Sequence, residues 1–128
     1  MKLLVDTHLL LWAAGGSRRL PARARKLISD PGNELLFSAA TFWEIAIKRG
    51  LGRRDFDVHP MRLRNGLLAN GYGELPVTSL HAMATERLPD IHRDPFDRLL
   101  VAQAETEGIR LLTADETLPD YGPVVLKV

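Results

Sequence analysis

The chain has 128 residues, 45% of them hydrophobic, which is enough to bury a core without staples and makes one domain over residues 1–128 the expectation. Its 17 basic and 16 acidic residues leave a net charge of +1, so no global field draws in nucleic acid or an anionic membrane, and any polyanion-binding residues must be grouped locally. The absence of cysteine excludes disulfides, thiolate metal sites and a cysteine nucleophile, and it suits a reducing cytoplasm.

Lys2 to Val5 is an apolar run ending at Asp6, which reads as a buried strand; the apolar residues Leu9 to Ala14, stopped by Gly15 and Gly16, read as the helix after it. Met1 to Ala14 imitates a short secretory signal, but Asp6 and His8 interrupt it. No later segment reaches the roughly 18 apolar residues of a membrane span, so a soluble, cytoplasmic protein is expected. Pro21 opens a second helix with Ala24, Leu27 and Ile28 on its apolar side, closed by Pro31 and Gly32. Leu35 to Ser38 is the next strand, and Thr41 to Arg49 a strongly apolar helix ending at Gly50, before a loop rich in Gly and Arg.

Met61 to Ala69 reads as a helix, Glu74 to Thr78 as a short strand, and Ser79 to Leu88 as a helix with Ser79 as its cap. His92 to Pro95 is a polar turn, with Pro95 at the first position of a helix that runs to about Glu107 and stops at Gly108. Arg110 to Thr113 and Val124 to Val128 are the last strands, separated by a turn or short helix from Asp115 to Tyr121. Short apolar strands alternating with helices predict the α/β class: a three-layer α/β/α sandwich around a central, mainly parallel sheet. No internal repeat, low-complexity tract or linker suggests a second domain.

Ligands of open parallel sheets bind outside the carboxyl ends of the strands. Asp6 follows the first strand, Asp115 lies two residues past Thr113, Asp97 is in the first turn of its helix, and Glu44 is expected in the first turn after Ser38. Each has a structural explanation: Asp6 and Asp115 as helix caps, Thr41 with Glu44 as a capping box, Glu44 with Lys48 as an i to i+4 pair, and Asp94, Pro95 and Asp97 as a helix start. Four independent caps need not all be acidic, since Ser, Thr and Asn serve equally well. Glu44 is also flanked by Phe42, Trp43, Ile45 and Ile47, so its carboxylate needs a buried partner.

Two unit charges about 4 Å apart repel by on the order of 4 kcal/mol at an effective dielectric near 20, a cost a cation would offset. Oxygen ligands without Cys favour Mg²⁺ or Mn²⁺ over structural zinc. His8, His59, His81 and His92 show no metal-ligand spacing; His92 beside Arg93 is assigned to phosphate binding or to the solvated surface.

Leu3 to Trp12 (LLVDTHLLLW), Ser38 to Lys48 (SAATFWEIAIK), His92 to Ala104 (HRDPFDRLLVAQA) and Leu111 to Asp115 (LLTAD) resemble, in this order, the motifs of PIN-domain nucleases of the VapC toxin type. The resemblance implies that Asp6, Glu44, Asp97 and Asp115 are metal-site residues, with Thr113 orienting the last carboxylate or a water. It places Asp94 outside the quartet, as a helix cap or the partner of an Arg. It further implies a Mg²⁺- or Mn²⁺-dependent ribonuclease that hydrolyses phosphodiester bonds, a cognate antitoxin that masks the site, and a homodimer. Lys48, Arg49, Arg93 and Arg98 are candidates to hold the RNA backbone.

The segment from Gly50 to Gly73 matches none of these motifs. A different enzyme, an aspartyl-nucleophile phosphohydrolase, also begins with a strand ending in Asp, but it needs a second Asp where this chain has His8. A non-catalytic module binding RNA or protein is the other alternative, and the complete acidic set argues against it.

Overall fold

Leu3, Leu4 and Val5 are completely buried, which puts β1 (Lys2–Val5) in the interior of a sheet, as an unbroken apolar run demands. The computed structural model describes residues 1–128 and shows five parallel strands in the order β3-β2-β1-β4-β5. Here β2 is Glu34–Ser38, β3 Gly73–Leu75, β4 Arg110–Thr113 and β5 Val125–Lys127. Leu4 is in register with Leu36 on one side and Leu111 on the other.

Six α-helices surround this sheet: α1 (Thr7–Ala14), α2 (Ala22–Ser29), α3 (Ala39–Gly50), α4 (Pro60–Ala69), α5 (Ser79–Ala84) and α6 (Pro95–Glu107). Strand residues alternate between two cores. Leu3, Val5, Phe37 and Leu112 pack with Leu9, Ala24, Ile45 and Leu63 from α1 to α4. Leu4, Leu111 and Val125 pack with Ala84 of α5 and with Leu100, Val101 and Ala104 of α6. Each fully buried Leu or Val contributes about 1.5–3 kcal/mol, so the alternation fixes which helices cover which face. The expected three-layer α/β/α sandwich is therefore the observed one.

Several helix ends follow the sequence signals. Asp94 caps α6 through Phe96 N (2.9 Å), Pro95 takes the first turn, and Gly108 closes the helix in the left-handed conformation (φ 67°) that other residues adopt only with strain. Others do not. Ser38, not Thr41, caps α3 by accepting from Ala40 N at 3.0 Å, so the helix starts earlier than expected and Glu44 lies in its second turn, outside any capping box. Thr41 instead meets Thr7 across 3.0 Å and ties α3 to the start of α1.

Thr78 rather than Ser79 caps α5: its side chain accepts from His81 N, and its own N–H donates to His81 Nδ1 in return. That helix ends at Ala84, and a 3₁₀ turn, Thr85–Arg87, replaces the last turn expected up to Leu88. The third strand spans only Gly73–Leu75, since Pro76 cannot extend the ladder as a donor.

From β1 the chain builds outward to one side, through β2 and β3, and only later to the other, through β4 and β5. Its connections thus diverge between β1 and β4, which opens a crevice at the carboxyl ends of these two strands.

Candidate carboxylate site

Asp6 is the first residue past β1 and stands beside β4, where its N–H donates to Leu112 O at 3.0 Å. The residue is 5% exposed; Oδ1 caps α1 by accepting from Leu9 N at 2.9 Å, and Oδ2 accepts from the Thr113 hydroxyl. The cap reading and the site reading of Asp6 are thus both satisfied by one side chain. Thr113 Oγ1 also accepts from Asp115 N at 3.0 Å, so one buried hydroxyl sets both Asp6 and the start of the Asp115 loop.

Asp115 Oδ1 ties down the approach to the short 3₁₀ turn Leu118–Tyr121, accepting from Thr117 N (2.7 Å), Thr117 Oγ1 (2.7 Å) and Leu118 N (3.2 Å). Its Oδ2 remains directed to His92 Nε2, at 3.3 Å. Asp97 reaches the same nitrogen from α6, with Oδ2 at 3.5 Å. Ligand atoms of His92, Asp97 and Asp115 lie within 4.8 Å of one another. Asp6, Asp97 and Asp115 line one cleft of about 320 Å³, together with His8, Trp12, Arg19, Asp55, His92 and Ala114.

Glu44 is not among the lining residues. It lies deeper, 2% exposed, with Oε2 2.5 Å from Lys48 Nζ and Oε1 buried without any hydrogen-bond partner. Lys48 also reaches Asp94 Oδ2 at 3.0 Å and lies over the Phe56 and Phe96 rings, 4.9 and 5.6 Å from their centroids. The structure therefore brings Asp6, Asp97 and Asp115 together in the cleft and places Glu44 behind them, coupled to Asp6 and Asp97 through its charge.

The acidity of these groups records that crowding. Burial, then the negative charges of Asp94, Asp6, Glu44 and Asp115, push Asp97 up to about 8. Burial raises Asp6 as well, against the opposing bonds from Thr113 and Leu9 N. At Asp115 burial acts upward, but the bonds from Thr117, Leu118 and His92 outweigh it and hold the carboxyl below its ordinary range. Asp94 behaves likewise: burial is outweighed by Lys48 and by Phe96 N.

Lys48 and Arg98, nominated for the RNA backbone, join Asp94 in the scaffold of this site. Asp94 caps α6 as expected, but its charged partner is Lys48, not an Arg. Lys48 is committed to Glu44 and Asp94 and has no free charge for an RNA backbone. Arg98 donates to Pro89 O (2.9 Å), Thr85 O (3.0 Å) and the Tyr121 hydroxyl (3.1 Å), and so braces the loop before α6 rather than facing a substrate. Arg49 is exposed and lies 3.9 Å from Asp57; Arg93 is exposed, with no ion-pair partner.

The sequence reading missed Arg19 and Trp12 in the cleft wall: Trp12 lies on α1, and Arg19 reaches the cleft from the turn between α1 and α2. It also left His92 open, although its place in the HRDPFDR segment was a usable signal. Of the other histidines, His8 pairs with Asp55 Oδ2 at 3.3 Å, His59 caps α4, and His81 is buried against Glu107 Oε2 at 2.8 Å.

Fold and cleft together define the class: an open parallel α/β protein with a nest of carboxylates at its topological switch point. The chain belongs to the PIN domain family, whose sequence profile matches residues 3–122. Its fold is that of two solved structures. One is VapBC2 from Rickettsia felis, bound to a DNA fragment from their promoter (TM-score 0.70, 12% identity, covering 100% of this chain and 98% of that one). The other is a toxin-antitoxin complex from Klebsiella pneumoniae (TM-score 0.66, 18% identity, covering 98% and 96%). No curated protein matches by sequence.

Proposed function

We propose that residues 1–128 form a single PIN domain that acts as a Mg²⁺- or Mn²⁺-dependent endoribonuclease, the toxin of a toxin-antitoxin pair. The observation that carries this reading is the crowding of Asp6, Asp97 and Asp115 in one cleft, where burial and neighbouring carboxylates push Asp97 up to about 8, with Glu44 buried behind them. Carboxylates held this close repel one another, and a cation in the cleft offsets that repulsion. The donors are all oxygens, which fits a hard ion.

Asp6, Asp97 and Asp115 would hold the cation at the cleft, and Glu44 would supply negative charge from behind. When bound, such a cation activates water for attack on phosphorus and stabilises the departing oxygen. Thr113 fixes Asp6, and the bonds at Asp115 Oδ1 leave Oδ2 facing the cleft. Arg19, with no ion-pair partner at the cleft wall, is suited to a phosphate oxygen, and Trp12 beside it to a base.

The partner reading draws on the fold neighbours and on an open groove of about 730 Å³ between α1, α2 and α4, lined by Leu11, Ile28, Leu35, Val58, Leu63 and Leu67. This groove would receive an apolar segment of the antitoxin. A homodimer is supported by the exposed stripe of Trp43, Ile47 and Leu51 along and just past α3. No helix is long and apolar enough to cross a membrane, in keeping with a cytoplasmic site of action.

Incubation of purified protein with total RNA in Mg²⁺, Mn²⁺ or EDTA, alongside Asp6→Asn, tests the activity. Cleavage by the wild type in either metal, none in EDTA and a loss of at least about 100-fold in the variant are expected. Equal cleavage in EDTA would remove the metal from the mechanism.

A further inference from the structure

His92 is fixed more firmly than a surface residue needs to be. Its backbone N–H donates to the Tyr121 hydroxyl at 3.0 Å, and Arg98 donates to the same hydroxyl at 3.1 Å. The imidazole Nδ1 accepts from Asp94 N at 3.1 Å. A backbone N–H can only donate, so Nδ1 presents a lone pair and the ring proton resides on Nε2. That nitrogen stands 3.3 Å from Asp115 Oδ2 and 3.5 Å from Asp97 Oδ2.

We propose that His92 is a positioning residue of the carboxylate site: its Nε2–H holds Asp97 and Asp115 in the spacing that receives a divalent cation, and the ring does not ligate the ion. This inference rests on the metal-dependent reading above and deepens it. Nε2, Asp97 and Asp115 are near enough to one another to share an ion. Ligation through Nε2, however, needs a lone pair that this nitrogen lacks while Nδ1 accepts the Asp94 N–H.

Giving up that bond would also disturb the start of α6, because Asp94 is the cap of the helix that presents Asp97. The two carboxylates arrive from different elements, Asp97 from α6 and Asp115 from the loop after β4. A donor shared between them fixes their orientation relative to each other. Asp115 Oδ1 is already engaged by Thr117 and Leu118, so the donor on Oδ2 decides which way the remaining lone pairs face.

Mn²⁺ titration of the full chain by calorimetry and electron paramagnetic resonance provides the test, with His92→Ala and His92→Gln as variants. Gln places an amide N–H near the Nε2 position, whereas Ala removes the donor. The expected result is that Ala weakens Mn²⁺ binding by roughly 10- to 100-fold, that Gln stays within a few-fold of wild type, and that the wild-type spectrum carries no directly coordinated histidine nitrogen.

Wild-type affinity in the Ala variant would overturn the inference. A coordinated nitrogen signal, with Gln as weak as Ala, would overturn it in favour of His92 as a ligand. Failure of the wild type itself to bind Mn²⁺ would overturn the metal-dependent reading and this inference with it. Should the Ala variant not fold, as judged by its thermal transition, the Gln variant and the wild-type spectrum still decide.

Discussion

Asp97→Asn is expected to abolish metal-dependent RNA cleavage and at the same time to stabilise the metal-free protein. Asp97 has an ordinary value of 3.8 and is pushed up to about 8 by burial and by four neighbouring carboxylates. The folded state therefore binds this proton more tightly than the unfolded state, and stability falls as pH rises from about 4 to about 8.

Solvent reaches the half-buried cleft, so the full penalty is discounted to roughly 2–4 kcal/mol by pH 8. An amide has no such penalty and can still accept from His92. Urea denaturation in EDTA at pH 5, 6.5 and 8 should show the wild type losing stability across this range and the variant losing much less. A helix device alone would give the opposite pattern: a cost of about 0.5–2 kcal/mol at every pH, with activity intact.

The second large effect is expected at Lys48. Glu44 has no other hydrogen-bond donor, and its side chain is 3% exposed. Lys48→Met keeps an apolar stem between the Phe56 and Phe96 rings while removing the charge, so Glu44 is left as an uncompensated buried anion. Breaking such a pair from one side costs about 3–5 kcal/mol.

Thermal and urea unfolding should register this loss in EDTA, and saturating Mg²⁺ should recover part of it. Addition of Glu44→Gln to the same chain should also recover much of the stability, because the stranded charge is gone, but the double variant should gain less from Mg²⁺. If Lys48→Met proves as stable as wild type, the pair is not the anchor of Glu44.

The strands and the layer order were legible in the sequence because a run such as Leu3 to Val5, apolar at every position, fits only a strand covered on both faces. Asp6, Asp97 and Asp115 were legible for a related reason: each follows a strand end or opens a helix, and topology alone carries those positions to one edge. Glu44 was right as a buried acid and wrong as a first-turn residue, because Ser38 competes successfully with Thr41 for the cap.

What stayed hidden depends on contacts between residues far apart in the chain. Lys48 meets Asp94 across 46 positions, and Arg98 meets Tyr121 across 23. No local pattern reports such pairs. An isolated Arg or Lys near an acidic motif therefore reads as a substrate contact, when here two of the four nominated are braces.

All of this depends on one electrostatic claim, that the crowded carboxylates are compensated by a divalent cation that displaces a proton. Calorimetric titration of Mn²⁺ into EDTA-stripped, dialysed protein at pH 7, repeated in two buffers of different ionisation enthalpy, measures it directly. Binding with release of about one proton or more is predicted, since Asp97 is mostly protonated at that pH. No binding at millimolar Mn²⁺, or binding with no proton released, would contradict it.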